Sequence, residues 1–183
     1  MSGAPVLLLT GPPGSGKSTV GPLVAERFDR AATIEADWFF TTIAGGFIMP
    51  WLPAAHAQNQ TLLRACASAA AAMSLGGYTV VVEGVLGPWY LPLLTEELAR
   101  SGADVHYVVL RPPVEVILAR AEARDARTPG VSPLREEGPL RQLWDAFQDL
   151  GVYENHVIDN AALDPDETAA LVRECVGNGT HRL

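Results

Sequence analysis

Residues 10–19 read TGPPGSGKST, and they hold the only lysine of the chain; the other twelve Lys/Arg positions are all arginine. The stretch fits G-x-x-x-x-G-K-[ST], with Gly11, Gly16, Lys17 and Ser18 at the defining positions. Its flanks agree: an apolar run, Val6 to Thr10, leads into it, and a helical pattern, Lys17 to Phe28, leaves it. Gly11, Gly14 and Gly16 allow backbone angles that turn successive N–H groups toward phosphate oxygens, with Pro12, Pro13 and Ser15 completing the loop. The following helix, entered through Thr19, adds the positive end of its dipole. A compact ammonium reaches the β- and γ-phosphates from inside such a loop, where a planar guanidinium is no substitute. The Ser18 hydroxyl suits Mg²⁺. Lys17 is therefore read as a phosphate ligand. Pro22, inside the expected helix, cannot donate to the Ser18 carbonyl and is expected to distort the helix locally.

The chain has 183 residues, of which 48% are apolar and 19% charged, a globular composition expected to form one domain over residues 1–183. No run of about 18 apolar residues suggests a membrane span, and the short apolar stretch at Val6–Leu9 lacks the flanks of a signal peptide. Net charge −8 argues against a general nucleic-acid surface. Cys66 and Cys175 lie far apart, form no metal-type pair, and read as reduced thiols of a cytoplasmic protein. A monomer or weak homodimer is expected.

Strand patterns at Val6–Thr10, Ala31–Glu35, Tyr78–Glu83, Val105–Leu110 and His156–Asp159 alternate with helical ones. The helical stretches are Lys17–Phe28, Ala54–Leu75, Leu91–Ser101, Val114–Ala126, Leu140–Leu150 and Asp166–Val176. Such alternation predicts βαβ units and a parallel sheet covered on both faces. Residues 127–139, RTPGVSPLREEGP, carry three prolines and two glycines and read as a lid loop.

A phosphate loop leaves the task open. Without a second lysine, the base-reading N-K-x-D element of Ras-type GTPases is impossible. An ABC-type signature is absent, and the length is short for an oligomeric AAA+ motor with its own lid domain. Through GPPGSGKST, IEADWF, VVVEG and RAEARDAR the chain resembles the small P-loop kinases. These include gluconate kinase, shikimate kinase and chloramphenicol phosphotransferase, with zeta toxins more distant. The resemblance covers most of the chain. It implies an α/β P-loop NTPase fold, a three-layer sandwich on a five-stranded parallel sheet of order 2-3-1-4-5 with a small lid. It also implies Mg-ATP as donor and phosphoryl transfer to a small-molecule acceptor.

In TIEADWF, strand alternation would put Glu35 and Asp37 on one face, with Asp37 at the carboxyl end of the strand, where open α/β sheets place ligands. A carboxylate there can accept a hydroxyl proton, and the resemblance makes Asp37 the catalytic base; capping a following helix is its alternative use. YTVVVEG is similar to the Walker B pattern and offers Glu83 to Mg²⁺ through water, or to the acceptor. Arg120, Arg124 and Arg127 share a helix face with no acid three or four residues away, so triphosphate or acids from elsewhere should face them. The resemblance makes them a phosphate clamp with Arg124 its leading catalytic member, and it places Asn160 and Ala161 near adenine.

Of thirteen aromatics, seven cluster after the two acid-bearing strands: Trp38, Phe39, Phe40, Phe47 and Trp51, then Trp89 and Tyr90. Phe40, Trp51 and Trp89 are the expected acceptor wall, suited to a stacking or apolar face rather than a polyol acid. Three readings follow. The first is a kinase of a small hydroxylated molecule, with antibiotics and other natural products among the acceptors. The second is a non-catalytic ATP-dependent binder of the tunicamycin-resistance type, whose layout extends to FQDLGVYENHVID. The third is a nucleotide or nucleotide-sugar kinase, for which Arg64 is the local basic group.

Overall fold

Val6 to Leu9 are buried on both faces, as a central strand of a parallel sheet requires. In the computed structural model, which describes residues 2–127 and 137–183 (at 124–127, 137 and 139 the backbone only), this stretch is β1, Val6–Thr10. It lies between β3 (Thr79–Gly84) and β4 (Val105–Leu110). β2 (Ala31–Glu35) pairs with β3, and the two-residue β5 (Val157–Ile158) pairs with the end of β4. All these pairings are parallel, in the order β2-β3-β1-β4-β5. The sequence expectation for the sheet holds.

Strand alternation divides the core. Leu7 and Leu9 join Val20 and Val24 of α1 (Lys17–Ala25) and Val172 of α7 (Pro165–Asn178) in one layer. Val6 and Leu8 join Cys66 and Ala70 of α3 (His56–Leu75) and Leu94 of α4 (Leu91–Leu98) in the other. Both cysteines are free and buried, and burial pushes the Cys66 thiol up to about 12. α7 opens with a capping box: Asp164 Oδ1 accepts from the Glu167 N–H at 2.8 Å, and Glu167 accepts from the Asp164 N–H at 2.9 Å. α5 is Val114–Arg127 and α6 is Glu137–Asp145.

Several boundaries differ from expectation. The largest change is α2, Ala36–Thr41, which begins at once where β2 ends. Asp37 thus lies in the first turn of a helix and not on a strand face, so alternation is not what relates it to Glu35. The helix is capped from Glu35, in extended conformation, without a side-chain hydrogen bond. α3 is preceded by a short 3-10 turn, Pro53–Ala55, and α6 starts earlier and ends sooner than its apolar period suggested. Pro22 sits within α1, which runs unbroken from Lys17 to Ala25. The lid loop expected at 127–139 falls largely outside the described residues.

Candidate functional site

The carboxyl ends of β1, β2 and β3 open on the same edge of the sheet, where α/β folds collect ligands. Gly11 leaves β1 with φ 146°, and a Cβ there would fall 2.1 Å from the Leu110 carbonyl oxygen. Only glycine lets the loop pass so close to β4. Gly16, at φ 101°, caps α1 in the left-handed region. Between them the backbone folds back so that the Lys17 ammonium donates to the Pro12 carbonyl at 3.0 Å. Lys17 is only 8% exposed and lines the cavity that opens above the loop.

The loop is held from behind by two residues distant in sequence. The Asn160 amide, after β5, donates to the Ser15 carbonyl at 3.0 Å. Arg120, on α5, donates to the same carbonyl at 3.3 Å and to the Asn160 carbonyl at 3.1 Å. Arg120 was expected to face triphosphate or acids; its described partners are backbone carbonyls. The side chains of Arg124 and Arg127 lie outside the described residues. The Asn160 side chain was not anticipated in this role, and Ala161 has its N–H bound to Asp159 Oδ1 at 2.9 Å.

Glu83, the penultimate residue of β3, lies beside Leu9 of β1 and Glu35 of β2 in register, and it is 6% exposed. Burial pushes its carboxyl up to about 7; Lys17 opposes that shift, and Asp37 and Glu35 add to it. Lys17, Asp37 and Glu35 are therefore all in electrostatic reach of Glu83. Asp37 and Glu35 stand exposed at the mouth, and Glu83 stands deep.

These groups share one cavity of about 1520 Å³ with the aromatic wall. That exceeds the ~300–1,000 Å³ usual for one small ligand, so there is room for two. Phe40, Trp51 and Trp89 line it, with Phe47 and Tyr90. Trp38 and Phe39 do not: Trp38 is 62% exposed, and Phe39 packs on the core under α3. Helical periodicity over α2 sends neighbouring residues to different faces, which the strand-based reading could not see.

The wall is fastened by residues that sequence reasoning missed. Gln58 and Asn59 on α3 grip the preceding irregular segment. Ile48 exchanges two hydrogen bonds with the Gln58 amide, at 2.7 and 2.8 Å. Asn59 donates to the Pro50 carbonyl at 2.7 Å and to the Tyr90 hydroxyl at 3.2 Å. Two adjacent amides opening a helix after an aromatic stretch were the available signal. Across the cavity, Leu86 is pinned through its N–H to Thr10 Oγ1 (2.8 Å) and through its carbonyl to the Tyr107 hydroxyl (3.0 Å). Trp89 packs edge-on against buried Phe147 with ring centroids 5.6 Å apart.

Arg64 turns away from this site. Its guanidinium meets Glu97 at 3.0 Å and Glu96 at 3.5 Å on α4, and it does not line the cavity. The basic residues among the described cavity lining are Lys17 and Arg120, both at the phosphate loop. For Mg²⁺ the donor set fits: the ion takes one or two protein oxygens besides phosphate and water, and Ser18 and Glu83 both face the cavity beside the loop. Among the described residues no cluster of three or more His, Cys, Asp and Glu side chains could hold a metal by protein ligands alone. No described helix is long and apolar enough to cross a membrane.

A family model described as "AAA domain" matches residues 6–150. It matches a domain type and does not bear on the oligomeric motor set aside above. No curated protein matches the sequence. Among solved structures, the tunicamycin resistance protein of Deinococcus radiodurans aligns at TM-score 0.67 and 20% identity, over 95% of this chain and 96% of that one. The Mycobacterium tuberculosis APS kinase CysC, in complex with AMPPNP and APS, aligns at TM-score 0.67 and 20% identity, over 97% and 99%. A chain of the Pnkp1/Rnl/Hen1 RNA repair complex aligns at TM-score 0.63 and 20% identity over 81% of this chain, which spans only 45% of that longer one.

Proposed function

We propose, from the premise that the chain belongs to the AAA-domain family of P-loop proteins, that it transfers the γ-phosphoryl group of ATP to a hydroxyl of a small molecule. One observation carries this reading: the phosphate loop, three carboxylates and an aromatic wall border a single cavity large enough for donor and acceptor together.

In this mechanism Lys17 and the loop N–H groups hold the β- and γ-phosphates, and Arg120 keeps the loop in shape from behind. Ser18, with Glu83 through water, would hold Mg²⁺, which supplies charge neutralisation of the phosphates when bound. Asp37 accepts the acceptor's hydroxyl proton as that oxygen bonds to the γ-phosphorus. The bond from phosphorus to the bridging oxygen of ADP breaks, and ADP leaves with the electron pair. Arg124 and Arg127 are proposed to complete the clamp from the lid side. The aromatic wall aligns the acceptor and excludes water that would otherwise hydrolyse ATP.

A non-catalytic binder is the second reading, favoured by the full-length likeness to the tunicamycin resistance protein. A nucleotide-sugar acceptor loses support, because Arg64 is engaged by Glu96 and Glu97. Screening hydroxylated metabolites and antibiotics for acceptor-dependent ADP formation separates the readings. Acceptor-stimulated turnover supports transfer, and tight nucleotide binding with no stimulation by any acceptor supports the binder.

A further inference from the structure

We propose that the acceptor is a bulky alcohol with an apolar or aromatic face and no phosphate or carboxylate, with an amine-bearing alcohol the best fit. This rests on the phosphotransferase reading and specifies its second substrate. Three features of the cavity converge on that class. Besides the phosphate-loop residues, its lining holds Phe40, Phe47, Met49, Trp51 and Trp89, which gain most from a flat apolar partner. The acids of the same lining are Glu35 and Asp37, exposed at the mouth, with Glu83 buried deeper beside the loop. The basic residues among the described lining, Lys17 and Arg120, lie at the loop, and Arg64 is held on α4 by Glu96 and Glu97.

An anionic acceptor would bring charge against those carboxylates with no guanidinium or ammonium among the described lining residues, other than Lys17 and Arg120 at the loop, to meet it. Repulsion of like charges opposes it there, screened by water at exposed Glu35 and Asp37 and stronger at buried Glu83. An ammonium on the acceptor reverses the sign and also finds aromatic faces for cation–π contact. The wall is rigid enough to discriminate. Gln58 and Asn59 hold the backbone of Ile48 and Pro50, so Phe47, Met49 and Trp51 project from a fastened segment. Tyr90, bound to Asn59, ties the opposite wall to the same helix.

Three matched probes test this: phenylalaninol (amine), 3-phenyl-1,2-propanediol (neutral) and 3-phenyllactate (carboxylate), which share a benzyl group and a hydroxyl. Binding in the presence of Mg-AMPPNP is read from tryptophan fluorescence, since Trp51 and Trp89 stand in the wall, and turnover is read as ADP formation with Mg-ATP. The expected order is amine, then neutral, with the carboxylate at least tenfold weaker than either. Trp51→Ala should weaken all three alike. Met49→Arg, at a half-exposed position, should strengthen 3-phenyllactate at least tenfold relative to the unmodified protein. A carboxylate that binds as well as the amine, no binding by any probe, or no gain from Met49→Arg overturns the proposal. The expected binding order with no ADP formed leaves the ligand class standing and sinks the transfer reading instead.

Discussion

The amide of Asn160 donates to the carbonyl of Ser15 at 3.0 Å from a side chain only 2% exposed, across 145 positions of sequence. In a trans peptide the carbonyl and the following N–H point in opposite directions. Drawing the Ser15 carbonyl backward therefore aims the Gly16 N–H forward, into the phosphate loop. Asn160→Ala should weaken Mg-AMPPNP binding about tenfold, the scale of one hydrogen bond to a preorganised site. Apo stability should change less, since the Asn160 Oδ1 already has no partner among the described residues. Calorimetric titration and thermal melting check both, and unchanged affinity would show that Arg120 alone suffices.

Lys17→Ala and Lys17→Arg should each remove nucleotide-dependent thermal stabilisation and lower kcat/KM by ~10²-fold or more, the scale of losing one preorganised charge stabiliser. The arginine keeps the charge but not the compact shape that fits beneath the loop against Pro12. Near-normal turnover in Lys17→Arg would remove the stated reason for a single lysine.

Asp37→Asn keeps shape while removing proton acceptance. It should leave Mg-AMPPNP affinity nearly unchanged and lower kcat by ~10²–10⁴. Steady-state kinetics at saturating acceptor decide this. Unchanged kcat with a raised acceptor KM would reduce Asp37 to positioning.

Glu83 predicts a pH dependence of the nucleotide-free fold. Its folded pKa, about 7, lies above the ordinary 4.5 because burial disfavours the charge. Folding therefore favours the protonated form, so no penalty exists below about pH 4.5. The penalty grows as pH rises and is complete above about 7. At about 1.4 kcal/mol per pH unit it reaches at most about 3 kcal/mol. Urea melts of Glu83→Gln and the unmodified protein should agree near pH 4.5 and diverge up to pH 8, with the glutamine form the more stable. Parallel curves would place the Glu83 carboxyl in water.

The opposite sign holds at the amino end of β4. His106 and His181 are both buried, and burial holds their imidazoles below the ordinary 6.5; His156, whose ring is centred 5.4 Å from that of His181, adds to the shift there. Residues 181–183 clasp β4 through the Tyr107 N–H to the His181 carbonyl, 2.8 Å, and the Leu183 N–H to the Val105 carbonyl, 2.9 Å. Protonation is disfavoured in the fold, so stability is retained above about 6.5 and lost as pH falls below it. His181→Gln should flatten that acid limb of the melting curve between pH 6.5 and 5.

The sequence alone determined the sheet, its order through the resemblance, and the phosphate loop. Those features rest on local signals: apolar runs of strand length, helical period, and glycines at fixed spacing where the backbone must turn under a phosphate. Glu83 was legible for the same reason, as an acid ending an apolar strand. What only the tertiary structure decided involves partners far apart in the chain. No local pattern shows that Arg120 and Asn160 converge on one carbonyl, that Gln58 and Asn59 hold the acceptor wall, or that Arg64 is drawn off by α4. Asp37 marks the boundary between the two. Its residue type and neighbourhood were readable, but the turn from strand to helix at Ala36 was not, because a six-residue helix is too short to display its own period. α2 packs against α3, and the turn sets which side chains of ADWFFT face the cavity and which face solvent.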